Sequence, residues 1–285
     1  MKALITGANG QVGRALQATA PAGADIVALG SGELDIGDAE AVAEQVAELR
    51  PDVILNAAAY TAVDKAETEA DGAMRINGAA PGYLADSARS VGAKLVHIST
   101  DFVFDGSSSS PYPVDAPVNP LGIYGQSKLA GEQAAGTDAL VVRTAWVYGN
   151  TGANFVRTML RLMAERDEVR VVADQIGTPT SAVSLAGALW QLHTAGASGL
   201  FHYTDSGAAS WYDFAVAIQE EAFALGLLKR TVPVIPIATS DYPTPARRPA
   251  YSVLDKSRTI GVLGLPAPHW RANLRLVLEE IKHHG

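Results

Sequence analysis

Short unbroken apolar runs alternate with amphipathic stretches along the first half of the chain, the pattern of strands buried on both faces and helices laid over them. Lys2 to Thr6 opens the series, followed by Asp25 to Gly30, Val53-Ile54-Leu55, Leu95-Val96-His97-Ile98 and Ala139 to Arg143. Asp38 to Leu49 puts Ala41, Val42, Val46 and Leu49 on one helical face. From Val63 through Met74, Ile76, Asn77 and Leu84 to Val91 the periodicity predicts a long helix or a helix pair. Strands alternating with helices predict an α/β fold, a doubly wound parallel sheet assembled from βαβ units.

The second half is less regular. Phe155 to Arg166 reads as a helix and Val169 to Val172 as a strand. After Asp174 come a helix over Val183 to His193 and another over Trp211 to Leu225, with Ser210 as its cap. Thr231 to Pro249 is proline-rich, hence loop or edge strand, and Asn273 to Lys282 closes the chain as a helix. Asp105 to Pro120, rich in Ser, Pro, Gly and Asp, reads as a surface loop that covers the reaction site. The expected division is residues 1–174 for a dinucleotide and 175–285 for a smaller, mainly substrate-binding α/β part, with the chain free to cross back.

Composition narrows the chemistry. With 285 residues and 48% hydrophobic positions the chain can bury a large core. It has no cysteine, which excludes disulfides and thiolate chemistry and fits a reducing, cytoplasmic setting. No apolar run nears the ~20 residues that span a bilayer, so no membrane role is expected. A formal charge of −8 with scattered basic residues argues against nucleic acid as a partner.

The first strand runs into Gly7-Ala8-Asn9-Gly10-Gln11-Val12-Gly13 and then a helical start. Glycines at a strand-to-helix turn let backbone approach a pyrophosphate, and the helix N-terminus attracts it, so the sheet is expected to be Rossmann-type. Gly30-Ser31-Gly32 carries neither an acid for a ribose diol nor an arginine, which leans toward NADPH with NADH as the alternative. Asp35 and Ile36 are placed to flank adenine, with a plain turn aspartate as the other reading. The small residues of Asn56-Ala57-Ala58-Ala59-Tyr60-Thr61 would let a coenzyme lie against backbone, or simply pack helix on sheet.

Tyr124 and Lys128 stand four apart in Tyr124-Gly125-Gln126-Ser127-Lys128, one helical turn on the same face. A phenol with a pKa near ~10 is a poor acid at neutral pH, and an ammonium beside it is expected to pull that value down. Thr100 would offer a hydroxyl to the same oxygen. His97, inside an apolar run, reads as a core histidine. Trp146 emerges at the strand-end edge where open sheets bind ligands, either as packing or as a stacking face. Arg247-Arg248 is a compact basic pair suited to phosphate, solvated surface arginines being the alternative.

These stretches, together with Ser99-Thr100-Asp101-Phe102-Val103-Phe104-Asp105-Gly106, Asn56 to Glu67 and Arg248-Pro249-Ala250-Tyr251-Ser252, resemble the extended short-chain dehydrogenases/reductases over essentially the whole length. The glycines and the Tyr-x-x-x-Lys belong to the superfamily. Asn56 to Glu67 and Ser99 to Gly106, taken together, resemble a branch that reduces the 4-keto group of dTDP-4-dehydro-6-deoxy-L-mannose.

The resemblance implies Tyr124 as proton donor, Lys128 on the nicotinamide ribose and Thr100 on the carbonyl oxygen. It implies coenzyme contacts from Gly7, Gly10, Gln11, Val12, Gly13, Asp35, Ile36, Ala58, Ala59 and Tyr60, and dTDP-sugar contacts from Asp101, Trp146 and Arg247 or Arg248. Phe102 stands where the family often has tyrosine, which removes a hydroxyl. Ala15 stands where magnesium-bridged dimers of the family carry a glutamate, so no metal and a monomer are expected.

Three rivals bear on the same residues. A 4,6-dehydratase would follow its catalytic threonine with Asp-Glu, whereas here Asp101 precedes Phe102; that disfavours dehydration and leaves epimerisation open. A reductase of another nucleotide-activated 4-keto sugar fits the same motifs. A non-catalytic regulatory subunit would be expected to lose the proton donor, which is present.

Overall fold

The structure, a computed structural model, describes residues 1–284. Its centre is a six-stranded, fully parallel sheet of β1 (Lys2–Thr6), β2 (Asp25–Leu29), β3 (Val53–Asn56), β4 (Lys94–Thr100), β5 (Leu140–Thr144) and a strand, Gly199–His202, that the pattern did not predict. Across the sheet the order runs from Gly199–His202 through β5, β4, β3 and β1 to β2. The chain leaves β1 on one side to form β2 and on the other to form β3. The crevice outside the carboxyl ends of β1 and β3 is therefore a topological switch point, where sheets of this kind hold ligands.

Both faces of the sheet are covered. One helix, α1 (Gln11–Ala18), packs with a later helix, Ala182–Thr194; Leu16, Leu185 and Leu189 are fully buried there, and the Trp190 indole donates to Leu16 O at 3.1 Å. On the other face α2 (Ala39–Leu49) buries Val42 and Val46 against Ala80–Val91. Asp38 caps α2 by accepting from the Glu40 and Ala41 amides. The helical stretch from Val63 is neither one helix nor a simple pair. Two four-residue turns precede a π-helical segment, Met74–Ala79, which leads into Ala80–Val91 with Pro81 in its first turn.

A second core gathers Phe155–Glu165, Trp211–Ala224 and Trp270–His284 around Val156, Met163, Phe214, Leu274 and Leu278. Val169–Val172 pairs in parallel with Val234–Ile237, whose Pro236 suits a two-stranded edge. After residue 174 the chain crosses back: Ala182–Thr194 and Gly199–His202 join the main sheet before the chain returns to the second core.

Trp211–Ala224 begins with a full capping box, Ser210 accepting from the Asp213 amide and Asp213 from the Ser210 amide. Ser210→Ala is expected to cost ~1 kcal/mol, lowering Tm by roughly 2–4 °C in a thermal melt. An unchanged melt would mean that the helix start is held by Trp211 packing alone.

Candidate active site

The glycine turn forms one wall of a cleft of about 330 Å³ lined by Gly7, Asn9, Gly10, Ser31, Asp35, Ile36, Ala58, Ala59, Tyr60 and Ile76. Gly7 has φ +69°, and a Cβ there would lie 2.5 Å from Ala58 N. At Gly13 a Cβ would meet Gly7 O at 2.2 Å, so both glycines are fixed by backbone approach. Gly10 caps α1 with no side-chain bond, which leaves the first amides of the helix for a ligand. An uncapped helix start above a Cβ-free turn fits a dinucleotide's pyrophosphate.

Around this cleft the predicted residues take distinct parts. Val12 packs toward the core, and Gln11 accepts a 2.9 Å bond from Asn154, the cap of Phe155–Glu165. Asp35 is paired with Arg75 at 2.8 Å and also accepts from the Gly37 amide. The Arg75 hydrogen bond, then that amide, holds the Asp35 carboxyl below its ordinary range.

The Tyr124 helix, Ile123–Ala135, is pressed onto the end of β4. A Cβ at Gly125 would lie 2.3 Å from Phe102 O, and one at Gly131 would lie 2.0 Å from Asn77 O. Its first turn is held by Glu67, which accepts from the Ile123 amide at 2.9 Å. Asn77, on the π-helical turn, exchanges bonds of 2.8 and 2.9 Å with the Tyr60 backbone and donates to Ser127 Oγ at 3.1 Å. One buried amide thus fastens the cleft-lining Ala58–Tyr60 loop to the helix bearing Tyr124 and Lys128.

Tyr124 meets the Phe102 ring edge-on at 5.5 Å, and Lys128 Nζ donates to Ile98 O at 2.6 Å. Burial pushes the Tyr124 phenol up to about 12, the Asp101 charge adds to this, and the Thr100 hydroxyl opposes it. The sequence-based expectation was a lowered phenol. The difference arises because the ammonium is drawn onto a backbone carbonyl while desolvation dominates at the ring. Burial also lowers Lys128 to about 8 and raises Asp101 to about 6. Asp101 is 1% exposed, accepts from Thr100 Oγ1 at 3.1 Å, and leaves its Oδ2 without a partner.

Further out, Trp146 adopts φ 48°, rare for a bulky residue, and stacks on Trp211 with centroids 3.5 Å apart. Gly177 makes room for it: a Cβ there would lie 2.6 Å from the indole. The packing reading of Trp146 is the one these contacts describe. Arg247 and Arg248, alike in sequence, separate in space. Arg248 pairs with Asp64 at 2.9 Å, which fastens the proline-rich loop to the segment after β3, and Asp64 also accepts from the Ala246 amide. Arg247 is exposed, with no ion-pair partner among the described residues.

His97 is fully buried; its Nδ1 lies 3.1 Å from Asn56 Nδ2, and burial holds the ring neutral. Sequence reasoning missed Asn77, Arg75, Glu67 and Trp211. Of these only Asn77 carried a signal, an amide on an otherwise apolar helical face. Among the described residues no group of three or more His, Asp or Glu could hold a metal ion, and no helix is long and apolar enough to cross a membrane.

A family model described as RmlD substrate binding domain matches residues 1–283. The chain is 46% identical over 295 residues to dTDP-4-dehydrorhamnose reductase of Burkholderia thailandensis, covering 99% of both. The crystal structure of a dTDP-4-dehydrorhamnose reductase from Clostridium acetobutylicum superposes with a TM-score of 0.92 at 42% identity, over 99% of this chain and 100% of that one. The Bacillus anthracis dTDP-4-dehydrorhamnose reductase in complex with NADP gives a TM-score of 0.92 at 39% identity, over 98% and 99%.

Proposed function

Because the chain belongs to the RmlD substrate binding domain family, we propose that it reduces the 4-keto group of dTDP-4-dehydro-6-deoxy-L-mannose with NADPH, giving dTDP-L-rhamnose. The observation that carries this reading is the junction at Asn77, which joins the dinucleotide cleft to the helix of Tyr124 and Lys128.

In this reading Gln11, Val12 and Gly13 hold the coenzyme diphosphate through open amides at the start of α1, Gly7 and Gly10 shape the turn beneath it with the Gly10 amide bonded to Gly7 O at 3.0 Å, and Asp35 and Ile36 bound the adenosine. Ala58, Ala59 and Tyr60 pass along its middle. When bound, NADPH supplies the hydride that reaches C4 of the sugar. Thr100 fixes the carbonyl oxygen, and Tyr124 gives it a proton as negative charge develops there. A phenol raised to about 12 stays protonated at neutral pH, and a sugar alkoxide is basic enough to take its proton. Lys128, as an ammonium, stabilises the phenolate left behind. Asp101 and Trp146 contact the sugar.

Of the two arginines, Arg247 serves the nucleotide diphosphate, because Arg248 is engaged by Asp64. Arg247→Ala is expected to raise the KM for the sugar nucleotide ~tenfold with little change in kcat, the pattern of lost uniform binding. An unchanged KM would remove Arg247 from the site.

With Ala15 in place of a metal-bridging glutamate, the protein is read as a monomer of the cytoplasm, with neither nucleic acid nor membrane as a partner. The deciding assay supplies the keto sugar with NADPH or NADH and follows loss of reduced-nicotinamide absorbance with product identification. Turnover without added reductant, on tightly held NAD, would favour an epimerase instead.

A further inference from the structure

Lys128 lies 3% exposed, with its ammonium on Ile98 O. A cation in such a place needs a nearby countercharge to remain a cation at working pH. Glu132 follows Lys128 by four residues on Ile123–Ala135, so the two side chains share a face one turn apart.

The Glu132 carboxylate is fixed from two neighbouring strands. Ser99, next to Ile98 on β4, donates to Oε1 at 2.5 Å. Arg143 on β5 donates from Nε to Oε1 at 2.8 Å and from Nη2 to Oε2 at 2.7 Å. The Arg143 and Glu132 side chains are 4% and 8% exposed. A buried ion pair is an expensive way merely to hold a helix on a sheet, since apolar residues of similar volume hold it as well or better.

We propose that Glu132 is the positioning residue of this reduction site: its carboxylate, immobilised by Ser99 and Arg143, keeps Lys128 charged and seated on the end of β4. The proposal rests on reading Lys128 as the ammonium that serves Tyr124. Burial draws Lys128 down to about 8, and the Glu132 charge is what opposes a further fall.

The other ionisable groups around Lys128 do not replace Glu132. His97 on β4 is kept neutral by burial. Tyr124 is kept protonated by burial, and the Asp101 carboxylate bears on Tyr124, whereas the charge that opposes the fall of Lys128 is that of Glu132. Arg143 is engaged by Glu132 and has His202 Nε2 at 3.5 Å, a ring that burial lowers to about 3. Arg143 also reaches Val114 O at 3.4 Å and lies over the Phe104 ring, so the carboxylate's anchor extends to the Asp105–Pro120 loop.

The test is a pH titration of the isotope-labelled lysine amines by NMR, with the Lys128 signal assigned by its loss in Lys128→Arg. Glu132→Gln leaves Arg143 buried without a partner, so Glu132→Gln/Arg143→Met, which removes both charges together, carries the test if the single variant does not fold. In the single variant the Lys128 midpoint is expected to fall by about one to three units, and in the double variant, where a neighbouring cation leaves with the carboxylate, to fall by less, with the alkaline limb of kcat moving to lower pH alongside it. A Lys128 midpoint equal to wild type in the folded double variant overturns the proposal. If the midpoint falls but the wild-type protein reduces no sugar nucleotide, the tuning by Glu132 stands and the assigned reaction does not.

Discussion

Tyr124→Phe is expected to lower kcat by roughly 10²–10⁴-fold, the range for a lost general acid, while coenzyme titration gives a Kd near wild type. The ring that meets Phe102 edge-on is retained, so the variant removes one oxygen and little packing. The pH profile offers an independent check of the same site. With the phenol raised to about 12 the proton donor stays loaded through the ordinary range, whereas Lys128, lowered to about 8, loses its charge as pH rises through that value. Activity should therefore decline above about 8, and the group that titrates there should be the lysine. Full turnover by Tyr124→Phe would remove the phenol from the mechanism.

A second large effect is expected at Gly7. Alanine there must hold φ +69° and place its Cβ 2.5 Å from Ala58 N, so backbone rather than a flexible side chain has to move. The left-handed conformation alone disfavours an L-residue by ~1–2 kcal/mol, and with the clash a loss of ~3 kcal/mol is expected. That would lower Tm by roughly 6–12 °C and splay β1 from β3 at the turn proposed to hold the pyrophosphate. Gly10→Ala is the control, because its Cβ would meet only Gly7 O, at 3.3 Å. A melt of Gly7→Ala that matched wild type would show that the β1–β3 junction yields easily.

Much of the fold was legible because parallel strands covered on both faces read as unbroken apolar runs, as in Val53-Ile54-Leu55. Gly199–His202 was not, since it is four residues long, starts at a glycine of φ +81°, and is defined by pairing with a distant strand. The proposed catalytic residues were legible through local spacing: Tyr124 and Lys128 share a helical face whatever the rest of the chain does.

What depends on distant residues was hidden. Nothing next to Arg247 and Arg248 distinguishes them; Asp64, far upstream, does. The raised phenol was hidden for the same reason, because spacing announces a neighbouring ammonium but neither the depth of burial nor the carbonyl of Ile98 that holds it. Asn77 faces both Tyr60 and Ser127 from a π-helical turn, which a regular 3.6-residue period does not describe.

Trp146 gives one further consequence. Its backbone sits at φ 48°, where glycine would be at ease and tryptophan carries a strain of ~1–3 kcal/mol. Glycine would relax that peptide but delete the indole stacked on Trp211, and losing a large packed ring costs ~3–5 kcal/mol, more than the strain returns. Random variants screened for heat resistance alone should therefore leave the tense peptide in place.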